Sequence, residues 1–374
     1  MAQGKVLVTS ENLGQGETKA VERLLLFVGP ATKNIGKILS INTQSDLDDE
    51  LGVNDSILKT QVDAAIKNAD GLFRCVVCPA AADDSMLDVI DKAMENGVNV
   101  EGIVVCKPLS TKQDVNDLYA KQQQIENTYH RFLFIVAALP PIDLTDTPQT
   151  WSDYTLALKA FSDGVAAHTV GLVPLLHGND LGAVAGRLCK YSVTVADTPM
   201  RTATGPMVGL GIKPVDSAGT LLSSAVTATI DGNRASATQM YPDYDGVYFG
   251  DLNLLDAEGG DYQVIENLRV VNKARRAVRI KAIKLVGNRK LNSTPSSIAW
   301  AKRYLMAPLR DMAKRTQIQG EPFPGEIKPP QADAITIVWE SKTKVRIYMR
   351  VTPYNSPKQI VISIGLDLTT GTVE

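Results

Sequence analysis

The feature that most constrains the fold of this chain is a regular alternation of short apolar runs with helical segments between residues 24 and 176. The apolar runs, which we predict to be strands, cover residues 24–28, 72–77, 102–105, 131–138 and 169–176. The predicted helices between them cover residues 57–69, 84–96, 114–128 and 151–162. Continuous apolar strands that alternate with helices are typical of a largely parallel sheet with helices on both faces. The pattern therefore predicts an α/β layer structure.

The chain changes character on either side of this region. Residues 1–20 are polar and contain glycine, with one strand-like piece at 5–9, which predicts an extended N-terminal arm. Residues 177–260 are rich in Gly, Thr, Ser, Asp and Pro, and we interpret them as loops and small strands, with residues 225–230 extended. The N-terminal unit is therefore predicted to span residues 21–260 and to have a loop-rich, acidic second half.

A second unit, of the α+β class, is predicted over residues 261–351. Residues 262–318 carry apolar side chains at helical spacing, and Pro308 is expected to break or kink the second of two helices. Strands are predicted at 334–339 and 344–351. The whole chain is thus predicted to be a multi-domain protein, α/β plus α+β, whose C-terminal domain combines helices with a small sheet and whose ends are extended strand arms.

The clearest local signal lies in the last segment, an arm predicted over residues 352–374. Its alternating apolar residues are Ile360, Ile362, Ile364, Leu366 and Leu368. A strict period of two predicts a strand with one buried face, and Pro353 and Pro357 keep the preceding tether from being helical. The strand can form a local hairpin with residues 344–351, or it can leave its own domain and complete a neighbour's sheet. The sequence alone favours neither arrangement.

The charges of the chain nearly cancel, with 39 basic and 41 acidic residues, but they are unevenly distributed. Fourteen Lys or Arg residues and one acidic residue, Asp311, lie between residues 269 and 315, so this region carries +13 and the rest −15. Such asymmetry indicates an acidic partner for the basic region. A nucleic acid is the main alternative partner, but the region has few aromatic residues and the acidic remainder would repel phosphate.

No catalytic or metal-binding motif is complete in the sequence. Gly36-Lys37 lacks the earlier glycine and the following Ser or Thr of a phosphate-binding loop. Cys75 and Cys78 form a C-x-x-C pair, but on a strand their sulfurs point to opposite faces, and no second pair completes a zinc site. We therefore predict no catalytic residues, no metal and no cofactor, and an α/β enzyme is the weaker alternative. No apolar run approaches the roughly 20 residues of a membrane span, and no secretory signal is visible, so folding in the cytoplasm without membrane insertion is expected.

The order of several segments resembles contractile phage tail sheath proteins. The first is a strand that ends in Val28-Gly29, followed by a loop and a short segment that ends in Leu51-Gly52. The run Ala183-Val184-Ala185-Gly186-Arg187 is followed by Asp197-Thr198-Pro199, and the closing strands resemble those of the family around Thr352-Pro353. A Trp-Gly-x-Arg-Thr element is not found before the C-terminal domain. The chain length is similar to that of compact sheaths, such as those of myophages and R-type pyocins.

The resemblance implies a structural subunit that stacks in rings around a tail tube and contracts without consuming a cofactor. It implies a homo-oligomer whose partners are the tube protein and, at the tail ends, baseplate and terminator proteins, with no direct contact to nucleic acid. The expected location is the virion tail, assembled in the host cytoplasm.

The resemblance also implies roles for particular residues. Both terminal arms would pair with a neighbouring subunit's sheet, the N-terminal one through Val6 and Val8. The C-terminal domain, over residues 261–351, would face an acidic tube, and residues 21–260 would form the outer part of the sheath. The first candidates for that contact are Lys302, Arg303, Arg310, Lys314 and Arg315, and the second candidates are Arg269, Lys273 and Arg276. The alternative is that these residues form solvated helix faces, or pairs with the acidic residues 241–261 of an adjacent subunit.

Overall fold

The fold is described by a computed structural model over residues 21–364. The predicted N-terminal arm with Val6 and Val8 lies outside the described residues, and so do Leu366 and Leu368. The strands are β1 Leu25–Pro30, β2 Leu39–Asn42, β3 Arg74–Ala80, β4 Gly102–Val105, β5 Phe134–Leu139, β6 Ala167–Pro174, β7 Thr238–Tyr241, β8 Tyr244–Phe249, β9 Leu254–Leu255, β10 Thr316–Ile318, β11 Glu321–Phe323, β12 Ile335–Trp339 and β13 Val345–Met349. The helices are α1 Leu47–Leu51, α2 Ile57–Asn68, α3 Met86–Glu95, α4 Lys112–Tyr129, α5 Trp151–Ser162, α6 Asp180–Leu188, α7 Ser224–Gly232, α8 Ile265–Ile283 and α9 Pro295–Met312.

A seven-stranded sheet with the order β2-β3-β1-β4-β5-β6-β9 forms the centre of the N-terminal unit. Its five central strands are parallel, and the edge strands β2 and β9 are antiparallel to their neighbours. This confirms the predicted mixed α/β class with a mainly parallel sheet. The five predicted strands between residues 24 and 176 are all present, because their apolar residues pack on both faces of the sheet.

Each face of this sheet is covered by helices. Helices α2 and α6 pack on one face, and α3, α4, α5 and α7 pack on the other. Cys75 belongs to the first apolar layer and Cys78 to the second, so the two sulfurs diverge as predicted and both thiols are buried. Burial raises the pKa of the Cys78 thiol to about 11, which keeps it protonated at neutral pH.

Two helices occupy the region that we predicted to be loops and small strands. Residues 225–230 are helical in α7, so their predicted extended structure is wrong; the β-branched residues of this stretch favour strands, but Ser223 caps the helix by accepting a hydrogen bond from the Val226 amide. The second helix, α6, is buried along its whole length. Gly182 and Gly186 are poor helix formers, so residue propensities do not predict a helix here.

The glycines of α6 are explained by its contact with α2. A Cβ atom added to Gly182 would lie 2.0 Å from the carbonyl oxygen of Gln61, and one added to Gly186 would lie 2.3 Å from that of Ala65. No larger residue fits at either position unless the helices separate. The glycine of the Ala183–Arg187 motif is therefore a packing residue.

The C-terminal unit consists of α8 and α9 with small sheets of two strands. Pro308 lies inside α9 and does not break the helix, which leaves a kink as its predicted effect. Like Leu305 and Leu309 it is buried, so packing offsets the backbone hydrogen bond that a proline cannot donate. Strands β12 and β13 pair antiparallel from Ile335↔Met349 to Trp339↔Val345, and Ile335 and Ile337 are buried against α9.

Candidate functional site

Basic residues of α8 bind the C-terminal unit to the N-terminal unit. Arg269 donates from Nε to Glu101 Oε1 at 2.7 Å and from Nη2 to Glu101 Oε2 at 3.0 Å and to the Leu188 carbonyl at 2.9 Å. The Arg23 backbone amide also donates to Glu101, at 2.5 Å. Burial by itself would raise the pKa of Glu101, but Arg269 and the Arg23 amide hold it below its ordinary value. This contact is a buried ion pair joined by two hydrogen bonds between the guanidinium and the carboxylate.

The burial of Arg269 is a correction to the sequence prediction. Its side chain is 3% exposed, so its guanidinium has no surface to offer a tube. Arg276 is also engaged inside the subunit, where it donates to Glu22 at 2.8 Å and to the Phe132 carbonyl at 2.7 Å. Lys273 pairs with Glu326 at 2.6 Å and stays partly exposed. Each of these cations binds an acidic residue that is far away in the sequence. The run of basic residues by itself could not predict these partners.

The basic residues of α9, in contrast, lie on an exposed face. Leu305, Leu309 and Met312 are buried on the apolar face of the helix. Arg303, Arg310, Lys314 and Arg315 are exposed and Lys302 is half-buried, so all five first candidates remain on or near the surface. Lys314 makes an exposed pair with Asp311 at 2.7 Å. We call the exposed set, Arg303 and Arg310 in α9 with Lys314 and Arg315 just after its end, the α9 basic face.

The charge run also contains a basic tip that we did not single out from the sequence. Arg279 near the end of α8 and Lys284, Arg289 and Lys290 in the following loop are all exposed. These four residues belong to the same run of fourteen basic residues, so the charge count alone was sufficient to name them as candidate contact residues.

The C-terminal arm has no strand partner in the described part of the chain. Ile360 is 73% exposed, Ile362 77% and Ile364 91%, and residues 359–364 form neither the predicted strand nor the local hairpin with β13. An apolar strand needs a sheet to satisfy its backbone groups and cover its side chains, and within residues 21–364 these residues pair with none.

The sheet formed by β12 and β13 is open at both edges within residues 21–364. The two strands pair only with each other there. The side chains of Val338 and Tyr348 on its outer face are 44% and 54% exposed. An isolated two-stranded sheet is marginally stable, so these edges are suited to accept further strands.

Metal and membrane binding find no support in the described residues. Between residues 21 and 364, no three His, Cys, Asp or Glu side chains come together as a metal site. No helix in this part of the chain is both long enough and apolar enough to span a bilayer.

Comparison with known proteins gives the class of the chain. Two family models match, the DUF2586 N-terminal domain over residues 3–253 and the DUF2586 C-terminal domain over residues 261–369. A protein of Haemophilus phage HP1 (strain HP1c1), named as a candidate tail sheath protein, is 43% identical over 368 residues, which cover 97% of this chain and 98% of the relative.

Solved structures with the same fold include a helical sheath and a sheath tail protein. A chain in the baseplate of the anti-feeding prophage aligns with a TM-score of 0.62 at 12% identity, covering 98% of this chain and 99% of that one. The contracted helical sheath of the same particle gives a TM-score of 0.58 at 11% identity, covering 97% and 99%. The sheath tail protein of Desulfitobacterium hafniense gives 0.56 at 10% identity, covering 92% and 96%. The chain therefore belongs to the DUF2586 family and, with its relative from phage HP1, to the tail sheath proteins.

Proposed function

We propose that this chain is the structural subunit of a contractile tail sheath, which polymerises in stacked helical rings around a tail tube and contracts to drive the tube through the host envelope. The observation that carries this proposal is the 43% identity to the phage HP1 protein along 97% of the chain. The subunit is located in the virion tail. Its role is structural, and the energy of contraction is stored in subunit packing.

Subunits are linked by exchange of their terminal arms. Within residues 21–364, the arm beyond β13 carries exposed apolar side chains, and the β12–β13 sheet has free edges that an arm from a neighbour can extend. Main-chain hydrogen bonds provide the affinity of such strand addition, and Ile360, Ile362, Ile364, Leu366 and Leu368 provide its apolar side chains. Val6 and Val8 of the N-terminal arm belong to a second donated strand.

The C-terminal unit, residues 261–351, lies nearest the tube, and residues 21–260 form the outer part of the sheath. The α9 basic face and Lys302 are exposed or partly exposed and face the acidic surface of the tube, with Lys273 as a lesser contributor. Exposed ion pairs contribute about 0–1 kcal/mol each, so this contact is additive over many subunits and breakable on contraction. Baseplate and terminator proteins are the partners at the tail ends, and nucleic acid makes no direct contact.

A truncated chain that ends at Lys358 tests the arm exchange. It should fold, because the three apolar clusters lie before this point, and it should remain as unassembled subunits in electron micrographs while the full chain forms tubes or rings. Tubes of normal appearance from the truncated chain would contradict the exchange. A full-length chain that forms no rings or tubes under any condition would contradict the sheath function itself.

A further inference from the structure

Two carboxylates from distant parts of the chain converge on one lysine at the root of the C-terminal arm. Glu266, in the first turn of α8, binds Lys358 Nζ at 2.7 Å, and Asp251, in the loop between β8 and β9, binds the same Nζ. The side chains of Glu266 and Asp251 are only 8% and 14% exposed. An ammonium group held by two largely buried carboxylates differs from an ordinary surface pair, since water and salt screen it poorly.

The site requires a cation. Glu266 Oε2 is buried and has no hydrogen-bond partner among the described residues. Burial raises the pKa of Glu266, Lys358 opposes that shift, and Asp251 adds to it. Without the lysine, two carboxylates would face each other in a mostly dry setting, which is unfavourable unless one of them binds a proton.

Lys358 also lies between a segment that is bound to the subunit and a segment whose side chains are exposed. Before it, the Thr352 carbonyl accepts a hydrogen bond from the Lys328 amide at 2.8 Å, and Pro353 forms a β-bridge with Ile327. After it, Ile360 and Val361 are 73% and 80% exposed. Within the described residues, the ion pairs of Lys358 with Asp251 and Glu266 are thus the last ion pairs that hold the arm to its own subunit.

We propose that Asp251 and Glu266 form an ammonium-binding site that fixes the root of the C-terminal arm to its own subunit, so that only the chain beyond Lys358 is handed to a neighbour. This inference rests on the proposed arm exchange. With the anchor, the nearest fixed residue is Lys358, two residues before Ile360. Without the anchor, it is Pro353, seven residues before Ile360. Effective concentration falls with roughly the −3/2 power of tether length, so loss of the anchor lowers it about sixfold.

Zero-length carbodiimide coupling of the native chain tests where Lys358 is bound. The reagent joins an ammonium to a carboxylate only when the two are in contact, so Lys358 should couple to Asp251 or Glu266 in the unassembled protein. Polymers grown from mixed ¹⁴N- and ¹⁵N-labelled subunits should give the same coupled peptides, each with one isotope only. Coupled peptides of mixed isotope, or loss of the coupling on assembly, would overturn the proposal, because Lys358 would then leave its own subunit.

Substitution of the lysine tests what the anchor does. K358M keeps the apolar stem and removes the charge, and K342M is the matched control, since Lys342 is exposed on the β12–β13 turn. In the unassembled protein, K358M should speed chymotryptic cleavage after Tyr354, in the tether that the anchor holds, and K342M should not. The critical concentration for polymerisation should rise about sixfold for K358M alone. Cleavage after Tyr354 in K358M as slow as in the native chain would overturn the anchor.

The outcomes also separate this proposal from the proposed function. If the chain that ends at Lys358 still polymerises normally while coupling to Glu266 or Asp251 persists, the arm exchange is wrong and the ammonium contact stands as a local one. If that chain fails to polymerise but the full-length polymer gives coupled peptides of mixed isotope, the exchange stands and the anchor is wrong.

Discussion

The packed body and the exposed C-terminal surfaces of this subunit use similar residues for opposite purposes. Arg269 and Arg310 come from the same run of basic residues, yet one is buried against Glu101 and the other faces solvent on α9. Apolar strands show the same contrast, because β1 is buried on both faces while Ile360, Ile362 and Ile364 are exposed. The difference shows that residue type alone does not assign a role; the available partner within the subunit does.

The largest expected effect comes from breaking the buried ion pair. R269M leaves Glu101 charged and without its guanidinium, and removing one partner of a buried pair costs about 3–5 kcal/mol of unfolding free energy. Urea denaturation of the unassembled subunit measures this loss. K314M is the control on the exposed face and should leave the midpoint unchanged. If R269M and K314M behave alike, the contrast between buried and exposed charges fails.

The same pair predicts a pH dependence. The pKa of Glu101 is lower in the folded chain than its ordinary value, so its ionised form stabilises the fold at neutral pH. That contribution is lost as the pH falls below the unfolded value, about 4.3, toward the lower folded value. In E101Q this part of the acid sensitivity should be absent, which denaturation curves between neutral and acid pH can measure. The double variant E101M/R269M should lose less stability than R269M, because no unpaired charge is left buried.

The next largest effect concerns the contact between α2 and α6. G186A places a methyl group against the Ala65 carbonyl, and overpacking of this kind costs about 1–3 kcal/mol. Thermal unfolding of the subunit should show a lower midpoint. G232A is the matched control, because a Cβ atom there meets nothing within 4 Å. An unchanged midpoint in G186A would mean that the helices separate at little cost.

The sequence predicted the central sheet because its strands are apolar on both faces, a pattern that depends only on local residues. It did not predict α6, since Gly182 and Gly186 make sense only beside α2. It also placed Arg269 on the surface, because the partner that permits its burial, Glu101, lies 168 residues away in the chain. The arm was recognised from its period of two, but which subunit pairs with it depends on a second copy of the chain. Long-range contacts of this kind are what a local pattern cannot contain.

A smaller effect per residue is expected on the α9 basic face. The triple reversal R303E/R310E/R315E should weaken binding of the sheath to its tube and leave self-assembly intact, because these side chains are exposed and make no ion pair within the described residues. Cosedimentation of sheath and tube measures the first property, and electron microscopy of the sheath alone measures the second. K37E/K159E/K213E, three reversals at exposed lysines of the N-terminal unit that also make no ion pair within the described residues, is the matched control. Loss of self-assembly with tube binding retained would assign the α9 face to contacts between subunits.

The smallest expected effect comes from exchanging one basic residue type for another on that same face. R303K/R310K/R315K keeps all three charges and changes only the shape of the donor groups. If exposed charge alone holds the tube, these lysines should bind it as well as the arginines do, and binding should weaken with salt in parallel for both proteins, since the Debye length shortens to about 10 Å at 0.1 M. The corresponding change in the body, R269K, should behave differently, because a single ammonium cannot reproduce the paired bonds from Nε and Nη2 to Glu101. Denaturation of R269K and cosedimentation of the triple lysine variant therefore measure the same chemical change in the two regions. Tube binding that falls severalfold in the triple lysine variant would show that arginines of the α9 basic face also make paired hydrogen bonds. The distinction between paired hydrogen bonds inside the subunit and simple charge attraction at its surface would then no longer hold.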